Sequence, residues 1–473
     1  MKNAAAVRRS IRSVSGSGRT AALCTAAAAK TIGLAAILAV CSLHAAPRIV
    51  GYYPAWVRSV YPAERIELEH LTHVCHAFVR PEPDGGLSMD SSFKYPQLVE
   101  RVHGAGAKIL VSLGGWGGSD GFPQMAATAV YRSRFIENIT DFCLNQGYDG
   151  VDIDWEHPAS DSEKNSLNVL VRELRAAFDR RDSTLLITMA VPAGSWSGKW
   201  FDYTALESDV DWFGCMTYDF HGNWSDHAGH NSPLYSPQND PCGSVHDGIR
   251  YLSRSRGISK AKILTGLPFY GREFNAARLY GPSTGSENEY HYSDIVNKIG
   301  KGWRRHWDGV SFVPYLQNDA ETKLISYDDT LSIRLKCEYA KNENLAGVMI
   351  WALGQDAIGT TQPLLESAGA AMAGYTLAPP LPENLLKKSF QLHSYPNPFN
   401  LSTRIDFTLP AESFVTLTLH DILGRTVAYV LSQSFTAGEH AVRCSGAGLD
   451  SGLYFFKLTA GNRSIVRKCL IVK

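Results

Sequence analysis

Between residue 48 and about residue 370 the hydrophobic pattern switches repeatedly between two periods. Short apolar runs occur at 48–53, 71–79, 108–114, 148–156, 185–191, 210–217, 262–269 and 345–352. Each has the length and composition of a buried strand. The segments between them follow a helical period. In 162–181, Leu167, Leu170, Val171, Leu174 and Phe178 recur at i, i+3, i+4, i+7 and so share one face. In 131–146, Phe135, Ile136, Ile139 and Phe142 do the same, and Gly147 stands as the stop. Eight strands alternating with helices predict an α/β chain folded as a parallel (β/α)8 TIM barrel. A doubly wound open sheet is the other candidate, but no Gly-rich phosphate loop follows the first strand to support it.

Within that rhythm, Tyr148-Asp-Gly-Val-Asp-Ile-Asp-Trp-Glu156 stands out. Alternation sends Asp152, Asp154 and Glu156 to one face of a strand, and Val151, Ile153 and Trp155 to the other. Same-face neighbours are roughly 6.6 Å apart, so the three carboxyl groups cannot all ionise freely and at least one pKa should rise. That suits a general acid that holds its proton near neutral pH. Two plainer readings compete. An edge strand with solvated acids fits poorly, because Val151, Ile153 and Trp155 need covering. A metal site needs further ligands, and only His157 is adjacent, with Pro158 ending the strand.

In a TIM barrel, active residues sit at the C-terminal ends of strands, where polar and aromatic residues collect. Tyr52 follows the first strand, Ser112 and Trp116 the third, Met216, Tyr218 and Asp219 the sixth, and Tyr270 and Arg272 the seventh; Trp351 lies on the eighth. Individually, Tyr52 and Ser112 could satisfy barrel polar groups, Tyr218-Asp219 could cap a loop, and Trp351 could fill the core. Their convergence on one face favours a binding site.

Charge and composition narrow the function. The 46 basic and 46 acidic residues balance, which gives no reason to expect nucleic acid or an anionic membrane as partner. All 10 Trp fall between residues 56 and 351, a distribution that suggests a sugar-binding region joined to a different module. Residues 371–392 include Ala378-Pro-Pro-Leu-Pro382, a linker composition. Alternating runs such as 404–409 and 415–419, separated by turns at Gly424, Gly438 and Gly452, predict an all-β, Ig-like sandwich over 393–473. Residues 1–46 read as an export leader, with basic residues before an apolar run at 32–43 that is too short to span a bilayer. Leu38-Ala-Val-Cys41 also has the outline of a lipidation box, with Val40 where a small residue is expected. Outside the leader, the seven Cys show no metal spacing. Cys75, Cys143 and Cys215 are expected as buried thiols, and a Cys444–Cys469 bridge is one option in the last module.

The spacing Asp149-x-x-Asp152-x-Asp154-x-Glu156 resembles the D-x-x-D-x-D-x-E signature of glycoside hydrolase family 18, the chitinase family. The likeness extends through 50–56, 71–78 (ending in Phe78), 111–116, 216–224 (ending in Trp224), 266–272 and 347–351. Residues 272–327 resemble a short form of the small α+β insertion between strands seven and eight. The resemblance implies a catalytic barrel over 47–370 that hydrolyses β-1,4-linked N-acetylglucosamine in chitin or chito-oligosaccharides with retention, the substrate's acetamido group serving as nucleophile. Glu156 would be the acid and then the base, Asp154 would hold the acetamido N–H, and Asp152 would share a proton with Asp154, supported by Tyr52 and Ser112. Tyr218 would orient the acetamido oxygen, Met216 and Asp219 would line that subsite, and Trp351 would floor it. Asp149 would shape the strand and turn. Phe78, Tyr270 and Arg272 would belong to the substrate groove, and Trp56, Trp116 and Trp224 would be outer sugar platforms or loop packing.

No metal or organic cofactor is implied, and a monomer is expected. A lectin on the same barrel, or an enzyme cutting N-acetylglucosamine bonds of peptidoglycan or N-glycans, are the alternatives; Glu156 argues against the first. Tyr395-Pro-Asn-Pro-Phe-Asn400, Asp421-Ile-Leu-Gly-Arg425 and Ser451-Gly-Leu-Tyr-Phe455 resemble the C-terminal sorting domain of type IX secretion. That likeness implies the type IX machinery as partner and a secreted or surface-attached protein. A carbohydrate-binding sandwich is the competing reading, and the absence of Trp from the module opposes it.

Overall fold

The eight apolar runs pair in parallel in the computed structural model of the chain, which describes residues 47–374 and 391–473 apart from 238, 239, 241, 242, 285, 287, 410, 411, 461 and 462. The leader, most of the linker and Cys242 lie outside the described residues. The barrel strands are β1 (Arg48–Pro54), β2 (His73–Pro81), β3 (Lys108–Gly114), β4 (Gly150–Asp154), β5 (Leu186–Pro192), β6 (Trp212–Met216) and β7 (Ile263–Pro268). The ring closes through the eighth barrel strand, Gly347–Trp351, which pairs with both β7 and β1. The five strands of an insertion intervene in sequence: β8 (Tyr270–Phe274), β9 (Glu289–His291), β10 (Trp303–Asp308), β11 (Val313–Asn318) and β12 (Leu324–Ser326), which makes the last barrel strand β13.

Strand alternation divides the barrel into two layers. Val50, Tyr52, Cys75, Leu110, Leu264 and Met349 fill the inside, while Val111, Val151, Ile153, Ile187 and Val348 belong to the large core shared with the helices. Helix α1 (Ala129–Gln146) ends where predicted, at Gly147 with φ 75°, whose N–H returns to the Cys143 carbonyl. Helix α2 (Asp161–Arg181) starts at Ser160, whose hydroxyl accepts the Glu163 N–H. It buries Leu167, Leu170, Val171, Leu174 and Phe178, each contributing about 1.5–3 kcal/mol of apolar burial.

The insertion is a five-stranded antiparallel sheet in the order β9-β8-β12-β11-β10 with one short helix, α3 (Tyr292–Lys298). It begins at Tyr270, two residues before the expected boundary. Tyr270 and Arg272 therefore sit on its first strand, not on the end of β7.

The fourth strand is shorter than the expected 148–156. Gly150 has φ 144°, and a Cβ there would lie 2.1 Å from the Leu186 carbonyl oxygen; only glycine lets β4 approach β5 so closely. At the other end, the Asp154 carbonyl accepts the Gly115 N–H at 2.8 Å. Trp155 then turns outward to stack on Phe122, with ring centroids 4.9 Å apart. Glu156 is left just past the strand, at the rim.

Residues 391–473 form β14 (Gln391–Tyr395), β15 (Ser402–Leu409), β16 (Ser413–His420), β17 (Thr426–Phe435), β18 (Gly438–Ser445), β19 (Gly452–Ala460) and β20 (Arg463–Ile471). Sheets β14-β15-β18 and β17-β16-β19-β20 share one core around Leu392, Phe407, Leu417 and Phe456, the expected sandwich. The optional Cys444–Cys469 bridge is absent, since both are buried free thiols; so are Cys75, Cys143 and Cys215, as expected. Among the described residues, no helix is long and apolar enough to cross a membrane.

Candidate active site

Register assembles the centre of the site. Ser112 on β3, Asp152 on β4 and Thr188 on β5 are lateral neighbours, so all three project inward at one level. Asp152 Oδ2 accepts hydrogen bonds from the Tyr52 and Ser112 hydroxyls, each at 2.8 Å, and its Oδ1 accepts one from Thr188 at 2.6 Å. Burial raises the Asp152 pKa, while these three donors act against that rise. The support expected from Tyr52 and Ser112 is present. Thr188 was missed, although it is the one hydroxyl residue on the inward side of 185–191 and parity alone could have singled it out.

Asp154 differs from its neighbour. It is buried and its Oδ1 has no hydrogen-bond partner. Burial, then Glu156, then Asp152 hold its pKa well above the carboxylate range. Hydroxyl donors favour the ionised form and desolvation the neutral one, so of the two carboxyl groups Asp154 is held further toward its neutral form.

Glu156 sits at the rim with its backbone N–H donated to Ser119 Oγ at 3.0 Å. Burial and then the negative charge of Asp219 raise its pKa to about 7, partly offset by the Trp116 backbone N–H. His157 Nε2 is 3.8 Å from its Oε2. The carboxyl group is thus raised toward neutrality, which suits a general acid, but by burial and Asp219 and not by the neighbouring acids of its own strand.

The far wall comes from the loop after β6. Asp219 adopts φ 58°, an unfavourable left-handed conformation for a non-glycine residue, and the surroundings fix it there. Its N–H donates to Asn231 Oδ1 at 3.0 Å, and its Oδ1 accepts from Tyr270 OH at 2.7 Å and Arg272 Nε at 2.6 Å. Tyr218 meets Tyr270 edge-on at 6.1 Å. Among the described residues no hydrogen bond uses the Tyr218 hydroxyl, whose pKa is raised by burial and then by Asp154, Glu156 and Asp219. Met216 packs in the same inner layer. Asp149 lies away from this centre: its carboxylate accepts the Ile109 N–H at 2.8 Å and meets His103 Nε2 at 2.9 Å, a role in positioning the strand.

Aromatic rings extend the site in two directions. Trp351 stacks on Phe78 at 5.8 Å and meets Tyr52 at 5.7 Å, and Phe78 in turn contacts Trp56 at 6.2 Å. Gly115, at φ 77°, leaves room for the Phe78 ring, which a Cβ would approach to 2.6 Å. On the other side the Arg272 guanidinium lies 4.9 Å from the Trp224 ring centre. Trp116 is 80% exposed, Trp56 62% and Trp224 59%, which decides against packing under loops. Trp196, 80% exposed and edge-on to His157 at 5.9 Å, is a further surface aromatic that strand-end reasoning could not find, since it lies beyond β5 on the short helical turn Ser195–Gly198.

A barrel carrying three carboxyl groups at the C-terminal end of β4, flanked by aromatic rings, defines the class as a glycoside hydrolase. The model of glycosyl hydrolases family 18 matches residues 48–356, and the chain belongs to that family. A secretion system C-terminal sorting domain matches residues 393–473, which makes this a secreted or cell-surface protein. Chitinase A1 of Niallia circulans is 31% identical over 446 residues, covering 75% of this chain and 64% of its own. The endochitinase of Manduca sexta is 28% identical over 405 residues, covering 75% and 72%. Catalytic domain 2 of the Ostrinia furnacalis Group II chitinase, solved as a mutant in complex with (NAG)5, superposes with a TM-score of 0.65 at 28% identity, covering 70% of this chain and 98% of that one.

Proposed function

We propose that this protein is a chitinase that hydrolyses β-1,4-linked N-acetylglucosamine with retention and substrate assistance, in a catalytic unit spanning 47–370. The observation that carries the reading is the buried, unpartnered Asp154 Oδ1 set between a satisfied Asp152 and a protonated Glu156. A buried acceptor without a donor is costly, and an acetamido N–H supplies the donor it lacks. The Tyr218 hydroxyl donates to the acetamido carbonyl and aligns its oxygen with the anomeric carbon. Glu156 transfers its proton to the glycosidic oxygen as the C–O bond breaks and the acetamido oxygen closes an oxazolinium ring. Asp154, its proton passed toward Asp152, balances the cation. The Glu156 carboxylate then takes a proton from water, which opens the ring from the face the leaving group vacated. This acetamido nucleophile replaces the second carboxylate of the general glycosidase scheme, and intramolecular attack removes several kcal/mol of barrier. Trp351 floors the reacting sugar, while Phe78, Trp56, Trp116 and Trp224 offer faces to further sugars.

The test is NMR of the fresh reducing ends released from chitin hexasaccharide. Initial β-anomer is expected; initial α-anomer would refute retention.

The pH dependence follows from Glu156. The acid must be protonated in the free enzyme, so kcat/KM is expected to fall on the alkaline side with an apparent pKa near 7. The Asp219 charge opposes ionisation of Glu156, so Asp219→Asn should move that limb to lower pH; a limb that stays put or moves up would contradict the assignment.

Residues 393–473 are proposed to engage the type IX secretion machinery, with 371–392 as linker. Tyr395 packs on His246 at 4.2 Å, and its hydroxyl accepts from Arg250 at 2.8 Å, away from the groove residues. Deleting 393–473 is expected to leave hydrolysis intact and to retain the protein inside the cell. Normal export of the truncated chain, followed by immunoblot of medium and cell-surface fractions, would refute the sorting role.

A further inference from the structure

The loop that leaves the active site after Tyr218 and Asp219 folds back on itself and brings His221, His227 and Asp240 together, with one donor atom from each inside 4.8 Å. The hydrogen-bonding of the two rings is informative. His221 Nδ1 lies 3.0 Å from the His230 carbonyl oxygen, and His227 Nδ1 lies 2.7 Å from Asp226 Oδ1. An oxygen acceptor at Nδ1 requires the ring hydrogen there, which leaves Nε2 of a neutral ring as a lone pair. Both Nε2 atoms face the same carboxylate oxygen: Asp240 Oδ1 is 3.2 Å from His221 Nε2 and 3.4 Å from His227 Nε2. The His221 nitrogen is buried and has no hydrogen-bond partner. Three potential ligand atoms thus converge on one small volume, two of them on rings already anchored through their other nitrogen, and a metal would take the place of the proton between His227 Nε2 and Asp240. That anchoring is the outer-shell pattern of metal-binding histidines.

We infer that His221, His227 and Asp240 bind a divalent transition-metal ion, with Zn²⁺ the best match, and that the ion ties the loop bearing Tyr218, Asp219 and Trp224 to the segment at Asp240. Two imidazoles and a carboxylate favour zinc-like ions over calcium, which takes six or more oxygens. Zinc bonds of about 2.0–2.2 Å in a tetrahedron place neighbouring ligand atoms about 3.3–3.6 Å apart, close to the two separations found. A fourth position remains for water. The ion would be structural, because the Asp152, Asp154 and Glu156 centre needs no Lewis acid.

The experiment uses the full chain stripped with dipicolinate, then titrated with ZnCl2 by calorimetry, with metal content after desalting and thermal melts as parallel readouts. One zinc per chain and a raised Tm are expected. His227→Asn changes a partly exposed side chain, so folding should survive, and zinc affinity should fall by about 100-fold; Asp226→Ala, which removes the anchor of His227 from an exposed position, should weaken it by about 10–100-fold. Circular dichroism controls for folding. The inference is overturned if the stripped protein takes up no zinc, which would leave protons to hold the cluster together. It is equally overturned if His227→Asn binds zinc as tightly as the parent, or if Ca²⁺ and not Zn²⁺ raises the Tm.

Discussion

Glu156→Gln is expected to remove hydrolysis of chito-oligosaccharides almost completely while leaving their binding within a few-fold of the parent. Glutamine keeps the size of the side chain and loses only the transferable proton and the later carboxylate. A positioned acid–base contributes about 10²–10⁴-fold, and here one group serves both steps, so a loss of 10³-fold or more is expected. The aromatic surfaces of Trp351, Phe78 and the exposed Trp116 and Trp224 are untouched by the change. Reducing-end release measures the first quantity and calorimetry with chito-hexaose the second. Turnover within tenfold of the parent would sink the assignment of the acid. Loss of binding together with activity would point instead to a folding defect at the end of β4.

Asp154→Asn should cost about 10²–10³ in kcat, with KM nearly unchanged. In the resting site Asp154 is held neutral by burial and by its flanking acids, and asparagine imitates that state well. What asparagine cannot do is become an anion when the oxazolinium cation forms. An interaction made only beyond the ground state appears in kcat and kcat/KM equally, and loss of one such preorganised electrostatic contact has effects of this size. Steady-state kinetics on a soluble chito-oligosaccharide decide the matter. A rise in KM at constant kcat would show Asp154 to be a ground-state binding residue only.

Much of this site was legible from the chain because strands have a period of two. The alternation of Asp152, Asp154 and Glu156 with Val151, Ile153 and Trp155 already separated a chemical face from a packing face, and burial of Ile153 and Trp155 in the helix-side core agrees with it. The helical stripe of 162–181 and the glycine stop at 147 were equally local features, and both elements formed where those features lie. What local pattern could not supply was depth. Parity marks Thr188 as inward-facing, but only the register of β4 with β5 brings it to Asp152. Likewise Tyr270 and Arg272 read only as residues that follow the seventh barrel strand, yet they begin a second sheet and clamp Asp219 from it.

The chain by itself therefore determined the architecture, the order of its strands, the identity of the acids and the change of module near residue 390. These follow from periodicity and from chemically distinctive residues at short spacing. The tertiary structure alone decided which hydroxyls reach Asp152 and that burial and Asp219 act together on Glu156. It also decided that Trp56, Trp116, Trp196 and Trp224 stand in solvent, and that His221 and His227 meet Asp240. Each of those depends on desolvation and on through-space contact between segments far apart in sequence, and both are properties of the packed fold.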